Sequence, residues 1–338
     1  MTEGSPISER LALRVMQFGA IAVVLAALPY KQFDLDRFFI PKELVLHATS
    51  FVAVLLCAFS ARRWPLARVD QLLAWFVALG LLSALFATNW WLAQRAVAIS
   101  ISGAACFWAA RRIARAGYGR QLVSAIALAS VIGAATALLQ TYGVSVEYFS
   151  LNRAPGGTFG NRNFMAHIGA IAMPALVLSA LFARSRGAYF RWTAGIGIVS
   201  AALMLSRSRA AWLALIVCAI VMLPLGLIAL SDADGTVRGG RVAVLPIAAA
   251  AGAALALLLP NTLDWRSDSP YLDTAKSVVD YKAGSGAGRL VQYGNTLRMS
   301  VRHPLLGVGP GNWSVQYPKF ASADDPSMSS EERRESKR

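Results

Sequence analysis

Residues 192–230 read WTAGIGIVSAALMLSRSRAAWLALIVCAIVMLPLGLIAL, and the reading of this stretch decides the fold. Two apolar runs, Trp192–Leu205 and Ala210–Leu230, flank the short polar link Ser206-Arg207-Ser208-Arg209, and neither run contains Asp, Glu, Lys or Arg. Crossing about 30 Å of hydrocarbon takes about 20 mainly apolar residues, which the second run supplies and the first approaches. A charge at the centre of such a helix costs at least about 2.5 kcal/mol on insertion scales, so the charges gather in the link. The pair reads as a membrane hairpin with two arginines at one interface.

The same pattern repeats on both sides. Further apolar runs cover Leu11–Pro29, Leu44–Ala61, Leu72–Thr88, Ala96–Ala110, Gln121–Tyr142, Phe164–Ala183 and Val242–Pro260, and Arg14 is the one charged residue inside any of them. Over all 338 residues, 56% are hydrophobic and 15% charged. Soluble domains carry about 25% charged residues, so composition excludes disorder and argues against an ordinary soluble enzyme. The fold expected is an all-α integral membrane protein, a bundle of about nine transmembrane helices. The first run is longer than the about 7–15 apolar residues of a signal peptide, so it is expected to be retained.

The formal net charge of +15 would suggest nucleic acid in a soluble chain. Here positive residues follow the connections between runs, where cytoplasmic loops collect Lys and Arg. With the N-terminus inside, every inside connection holds at least two positive residues, such as Arg111, Arg112, Arg115 and Arg120, or Arg184, Arg186 and Arg191. Trp90 and Trp91 then fall at an outside end, as interfacial anchors do. No nucleic-acid partner is expected. Cys57, Cys106 and Cys218 lie inside apolar runs without C-x-x-C spacing, so they read as small core residues. His47 and His167 lie inside runs too and read as interior histidines. No metal-ligand spacing appears, and neither metal nor cofactor is expected.

Nine spans put the C-terminal part outside. Residues 1–260 form the membrane domain, 261–323 an outer helical lobe, and 324–338 a Ser-rich charged tail expected to be disordered. Within the lobe, Tyr271–Ala283 and Arg289–Arg302 read as short amphipathic helices, with Leu290, Tyr293, Leu297 and Val301 on one face. Arg289, after Gly284–Gly288, is either a solvated helix charge or a group that a hinge at those glycines delivers to the membrane surface, and Gly307–Asn312 reads as a tight loop after Pro304.

Two connections invite chemistry. Arg207 and Arg209 are either interface anchors or an anion site, because guanidinium groups bind phosphate through paired hydrogen bonds and stay charged. The stretch Arg153–Asn163 contains glycines whose N–H groups are free to face a ligand, and Asn163 is suited to capping the next helix. It lacks the Gly-Lys-Ser/Thr of a phosphate loop.

Gly157-Thr158-Phe159-Gly160-Asn161, Ser206-Arg207-Ser208-Arg209-Ala210-Ala211-Trp212-Leu213-Ala214 and His303-Pro304-Leu305-Leu306-Gly307-Val308-Gly309-Pro310-Gly311-Asn312 together resemble the O-antigen ligase family of polytopic membrane glycosyltransferases. The resemblance implies transfer of a glycan from undecaprenyl pyrophosphate on the periplasmic face of the bacterial inner membrane. The acceptor is a growing glycan, lipid A-core or protein, in lipopolysaccharide or other surface-polysaccharide assembly. It implies that arginines hold the pyrophosphate: Arg207 and Arg209, with Arg153 and Arg162 in the glycine-bearing loop, while Arg289 matches the loop arginine assigned to catalysis. The family plan has further spans after the outer loop and a histidine acting on the acceptor. No histidine follows His303, so the chain is expected to be C-terminally truncated and inactive alone, with the acceptor base unassigned. A lipid-glycan flippase or transporter, and a fragment that only binds, are the alternative functions.

Overall fold

The computed structural model describes residues 7–30, 36–60, 67–149, 154–231, 239–265, 267–277, 284–321 and 325. Among them every regular element is helical: α1 (Ile7–Leu25), α2 (Phe39–Ser60), α3 (Arg68–Ala84), α4 (Trp90–Ile113), α5 (Gly119–Thr141), α6 (Arg162–Leu181), α7 (Arg186–Ser206), α8 (Arg209–Ser231), α9 (Gly239–Leu258), α10 (Pro270–Lys276), α11 (Gly284–Arg302) and the short α12 (Trp313–Gln316). Each apolar run of the sequence falls in a helix. Five described helical stretches are long and apolar enough to cross a membrane: Phe39–Phe59, Trp90–Thr141, Arg162–Leu181, Arg186–Ser206 and Gly240–Leu258. The longest of these is two helices, α4 and α5, separated where Gly117 turns left-handed at φ 91°. At 24 and 23 residues, each suffices for one crossing. By contrast, α1 carries Glu9, Arg10 and Arg14 in its first two turns, and α3 is 17 residues long.

Helix starts follow local chemistry. The Asp36 carboxylate accepts from the N–H groups of Phe38 and Phe39 before α2. Asp70 accepts from Ala67 N at 2.7 Å across the first turn of α3. Asn161 and Ser185 cap α6 and α7 by accepting from Asn163 N and Ala188 N. Each such cap satisfies an N–H that the first turn leaves without a partner.

The chain divides into two compact units. The first comprises Met1–Ser60 and Ala110–Val278. Within it α1 packs on α2 and α5, α5 on α6 and α7, and α7 on α6 and α9. Its core is rich in alanine, with Phe159, Met165, Leu176, Ile196, Val199 and Leu203 as the larger members. Small residues let helices approach where lipid supplies no hydrophobic drive. A Cβ on Gly252 of α9 would stand 2.1 Å from the Gly197 carbonyl oxygen of α7, so the two backbones touch there. At one end of this unit Glu9 and Arg112 form a 2.7 Å ion pair, with Glu9 almost fully buried.

The second unit comprises Ala61–Ala109 and Val279–Arg338. Its helix α11 begins at Gly284, so the glycines read as a hinge before Arg289 continue the helix. Leu290, Tyr293, Leu297 and Val301 do share a face, and all four are exposed. For the other amphipathic segment the described helix is α10, Pro270–Lys276, and residues 278–283 lie outside the described set. So does most of the tail. Within 324–338 only Asp325 is described; it is fully buried and accepts from Asn295 Nδ2 at 2.7 Å and Tyr317 Oη at 2.5 Å.

Candidate functional site

The Ser206–Arg209 link is built as a reversal. Arg207 is the left-handed residue that ends α7, at φ 53°. That conformation costs a non-glycine residue about 1 kcal/mol or more and persists where neighbours hold it. The serines do the holding. Ser206 Oγ donates to Leu203 O at 2.7 Å and accepts from Ser208 N at 3.3 Å, and both serines are buried. Trp212 Nε1 donates to the same Leu203 carbonyl at 3.1 Å. With the serines turned in, the arginines turn out. Arg207 Nε donates to Thr274 Oγ1 and Arg209 Nη1 to the Ser277 carbonyl, each at 2.8 Å. Both arginines thereby tie α10 back onto the α7–α8 link.

The segment after α9 completes the site. Thr262 donates from both its N–H and its hydroxyl to the Thr141 carbonyl at 2.9 Å, anchoring the segment to the end of α5. Trp265 follows. The Arg162 guanidinium, at the start of α6, lies 4.9 Å from the Trp265 ring centre, and that of Arg207 lies 4.7 Å from it. Each cation gains from the negative face of the ring, so one indole gathers two positive charges from helices far apart in sequence. A cavity of about 510 Å³ opens beside Arg162 and Trp265, lined also by Gln140, Thr262 and Asp264 among others. The indole N–H of Trp265 and the hydroxyl of Tyr271 are buried without a protein partner among the described residues. The arrangement suits an oxyanion: two fork-shaped cations held on a rigid ring, at a helix start where N–H groups add to the positive field.

Of the arginines expected in the site, Arg162 and Arg207 meet at Trp265, and Arg209 is two residues further on α8. Arg153 lies outside the described residues. Arg289 is exposed on α11 of the second unit. The site also contains what sequence reasoning missed. Trp265 sits in a short polar stretch after α9 without periodicity or motif, so no sequence signal marks it as the meeting point of two arginines.

The glycine-bearing loop corrects an expectation. The N–H groups of Gly156 and Gly157 face no ligand; they donate to Gln140 Oε1 at 3.0 and 2.8 Å. Thr158 Oγ1 donates to the Val24 carbonyl at 2.6 Å. Lys42 Nζ joins the Thr158 and Ala26 carbonyls at 2.9 and 2.5 Å. The loop is thus a fastener between α1, α2 and α5, and Arg162 leaves it already positioned. His167, expected in the interior, is exposed on α6, while His47 is half-buried on α2.

In the second unit the His303–Asn312 stretch is also a fastener. Asn312 is fully buried; its Oδ1 accepts from Asn89 N at 2.6 Å and its Nδ2 donates to the Asn89 and Pro310 carbonyls at 3.1 and 3.0 Å. Ser83 Oγ donates to the Leu306 carbonyl at 2.5 Å. Gly309 and Gly311 are left-handed, and a Cβ on either would lie 2.6 Å from Ala87 Cβ or Leu92 O. Only glycine permits both the turn and the approach. The loop closes on the α3–α4 connection.

A family model described as O-antigen ligase matches residues 194–334. The matched range contains Arg207, Arg209, Trp265, Arg289 and the Asn312 fastener, and begins after Arg162. No curated protein and no solved structure matches the chain.

Proposed function

We propose that the chain, similar over residues 194–334 to the O-antigen ligase family, transfers or polymerises a glycan carried on a polyprenyl pyrophosphate, of the undecaprenyl type, at the periplasmic face of a bacterial inner membrane. The observation that carries the reading is the convergence of Arg162 and Arg207 on Trp265 beside an open cavity. In the reaction an acceptor hydroxyl oxygen bonds to the anomeric carbon of the glycan. The bond from that carbon to the pyrophosphate oxygen breaks, and the departing pyrophosphate keeps the electron pair. The acceptor proton passes to a base that no residue yet fills. Negative charge therefore builds on the leaving group, and preorganised guanidinium groups in a partly dry site stabilise it. Arg207 and Arg162 hold the pyrophosphate, and Arg209, two residues along at the start of α8, adds to the positive charge; Arg153 and Arg289 remain proposed from the sequence alone. The acceptor is a glycan, lipid A-core or a protein.

The proposal includes nine spans with a cytoplasmic N-terminus. Arg115 and Arg186 then face the cytoplasm, and Arg95, Arg207 and the residues after Asn261 face the periplasm. Ser285→Cys, in a background lacking the native cysteines, should react with an impermeant maleimide in intact spheroplasts. A need for permeabilisation would refute the orientation. The chemical reading is tested in proteoliposomes by retention of a polyprenyl-pyrophosphate glycan. Arg207→Ala and Arg162→Ala should each weaken retention at least about ten-fold, the scale of losing a charge-assisted hydrogen bond. Unchanged retention in both would overturn it.

A further inference from the structure

A second cavity of the first unit lies at the other end of α5, α6 and α7 from the arginine–tryptophan site. It measures about 960 Å³. Gln121 lines it, while Gln140 lines the cavity beside Trp265. Nineteen residues of α5 separate the two, about 28 Å at 1.5 Å per residue, close to the about 30 Å thickness of the hydrocarbon layer. The two cavities therefore open at opposite interfaces, whichever way the chain is inserted.

Its lining is sorted by chemistry. Three arginines, Arg14 from α1, Arg120 from α5 and Arg184 from the α6–α7 connection, supply the charge, and among the described lining residues there is no Asp or Glu. Glu9, the acidic residue nearest Arg14 in sequence, is engaged by Arg112. The rest is apolar or hydroxylated. Phe18, Ile21, Leu128, Phe182 and Trp192 contribute greasy wall, and Ser124 and Ser179 face one another at 3.4 Å. Two arginines are steered by neighbours: Arg120 lies 4.9 Å from the Phe182 ring centre, and Arg14 donates to Gln17 Oε1 at 3.3 Å. The left-handed Gly117 at the mouth has nothing within 4 Å of where a Cβ would stand, so the entrance is open.

We infer that this cavity is a binding site for a membrane phospholipid with an anionic phosphate headgroup, the phosphate among Arg14, Arg120 and Arg184 and the first part of an acyl chain along Phe18, Ile21, Leu128 and Trp192. Guanidinium forks match phosphate oxygens, and basic pockets between transmembrane helices take up cardiolipin-type headgroups. Arginines that merely snorkel would each meet the bulk headgroup layer. Here three chain segments bring them to the rim of one slot whose inner wall has no other use for its apolar length. The site is separate from the glycan reaction and does not depend on it.

The test uses the 338-residue chain in detergent, titrated with cardiolipin and read by native mass spectrometry. Cardiolipin should be retained, phosphatidylcholine should not, and millimolar inorganic phosphate should fail to displace the lipid. The Arg14→Gln/Arg120→Gln variant should bind about 25-fold more weakly, at about five-fold per basic residue near a headgroup. Arg186→Gln/Arg191→Gln removes the same charge outside the lining and should leave retention unchanged. Equal loss in both variants would overturn the site in favour of a diffuse charge effect. Equal retention of phosphatidylcholine, or displacement by phosphate, would overturn the lipid assignment. A measurement free of substitutions guards against misfolding: a diazirine-bearing acyl chain on cardiolipin should label the peptides around Leu128 and Trp192 in the unaltered chain. Labelling confined to other helices would refute the proposed pose.

Discussion

The two ends of the α5–α7 bundle both carry arginines, and they use them differently. At one end Arg207 and Arg209 reach Thr274 and Ser277 of the segment after α9, and Arg162 and Arg207 share the Trp265 indole. At the other, Arg14, Arg120 and Arg184 ring an open slot with apolar walls. Charge counting treats both as interfacial arginines. What distinguishes them is the chain that covers them: a docked loop makes a compact polar site, and its absence leaves a lipid-sized groove. The comparison teaches that a membrane arginine takes its role from its second contact.

The sharpest way to break the comparison is at Arg207. In a preparation that transfers glycan from a polyprenyl-pyrophosphate donor, Arg207→Ala should lower transfer about 10²–10³-fold, the effect of removing one preorganised donor to a developing oxyanion. Arg207→Lys should recover little, since the point charge lacks the fork. Transfer by the lysine variant at the unaltered rate would make both ends simple interface anchors. Next comes the indole. Trp265→Ala should lower lipid-linked glycan retention by about ten-fold, because two guanidinium groups lose a shared cation–π support of about 0.7 kcal/mol each. Trp265→Phe should restore most of it, and a flat response to both would detach the ring from the site.

A different kind of loss is expected in the second unit. Asn312→Ala removes the acceptor of the Asn89 N–H and the buried amide's two donations to the Asn89 and Pro310 carbonyls, each hydrogen bond worth about 0.5–1.5 kcal/mol, so it should lower the thermal midpoint in detergent. The Arg207 site should then retain its ligand in the portion that remains folded. The smallest effect is expected at Arg186, on the first turn of α7 and outside the lining of both cavities. Arg186→Gln should leave glycan retention and thermal stability within about two-fold and one degree, as exposed substitutions do.

Helix positions were legible because the solvent is lipid. Uncharged runs of about 20 residues allow one regular structure, since backbone groups must be satisfied within the segment. The start of α6 was legible to within two residues: Asn163 reads as its cap, whereas Asn161 holds that place and accepts from Asn163 N. Less legible were segments whose partners lie far away in sequence. Gly156 and Gly157 looked like ligand-facing loop residues until Gln140 was found to accept from both. The glycines at 284–288 looked like a hinge, yet α11 runs through them.

By itself the sequence determined that the chain is helical, where its apolar helices lie, and that Arg207 and Arg209 stand together at a helix link. Those features are local: hydropathy, charge exclusion and capping act over a few residues. Only the tertiary structure decided that Trp265 gathers Arg162 and Arg207, that Lys42 and Thr158 fasten α1 to the glycine loop, and that Asn312 closes on Asn89. Each joins groups separated by tens to hundreds of residues, and no periodicity encodes such a meeting. It depends on how helices with small residues, such as Gly197 and Gly252, can approach, which is a property of two surfaces in contact.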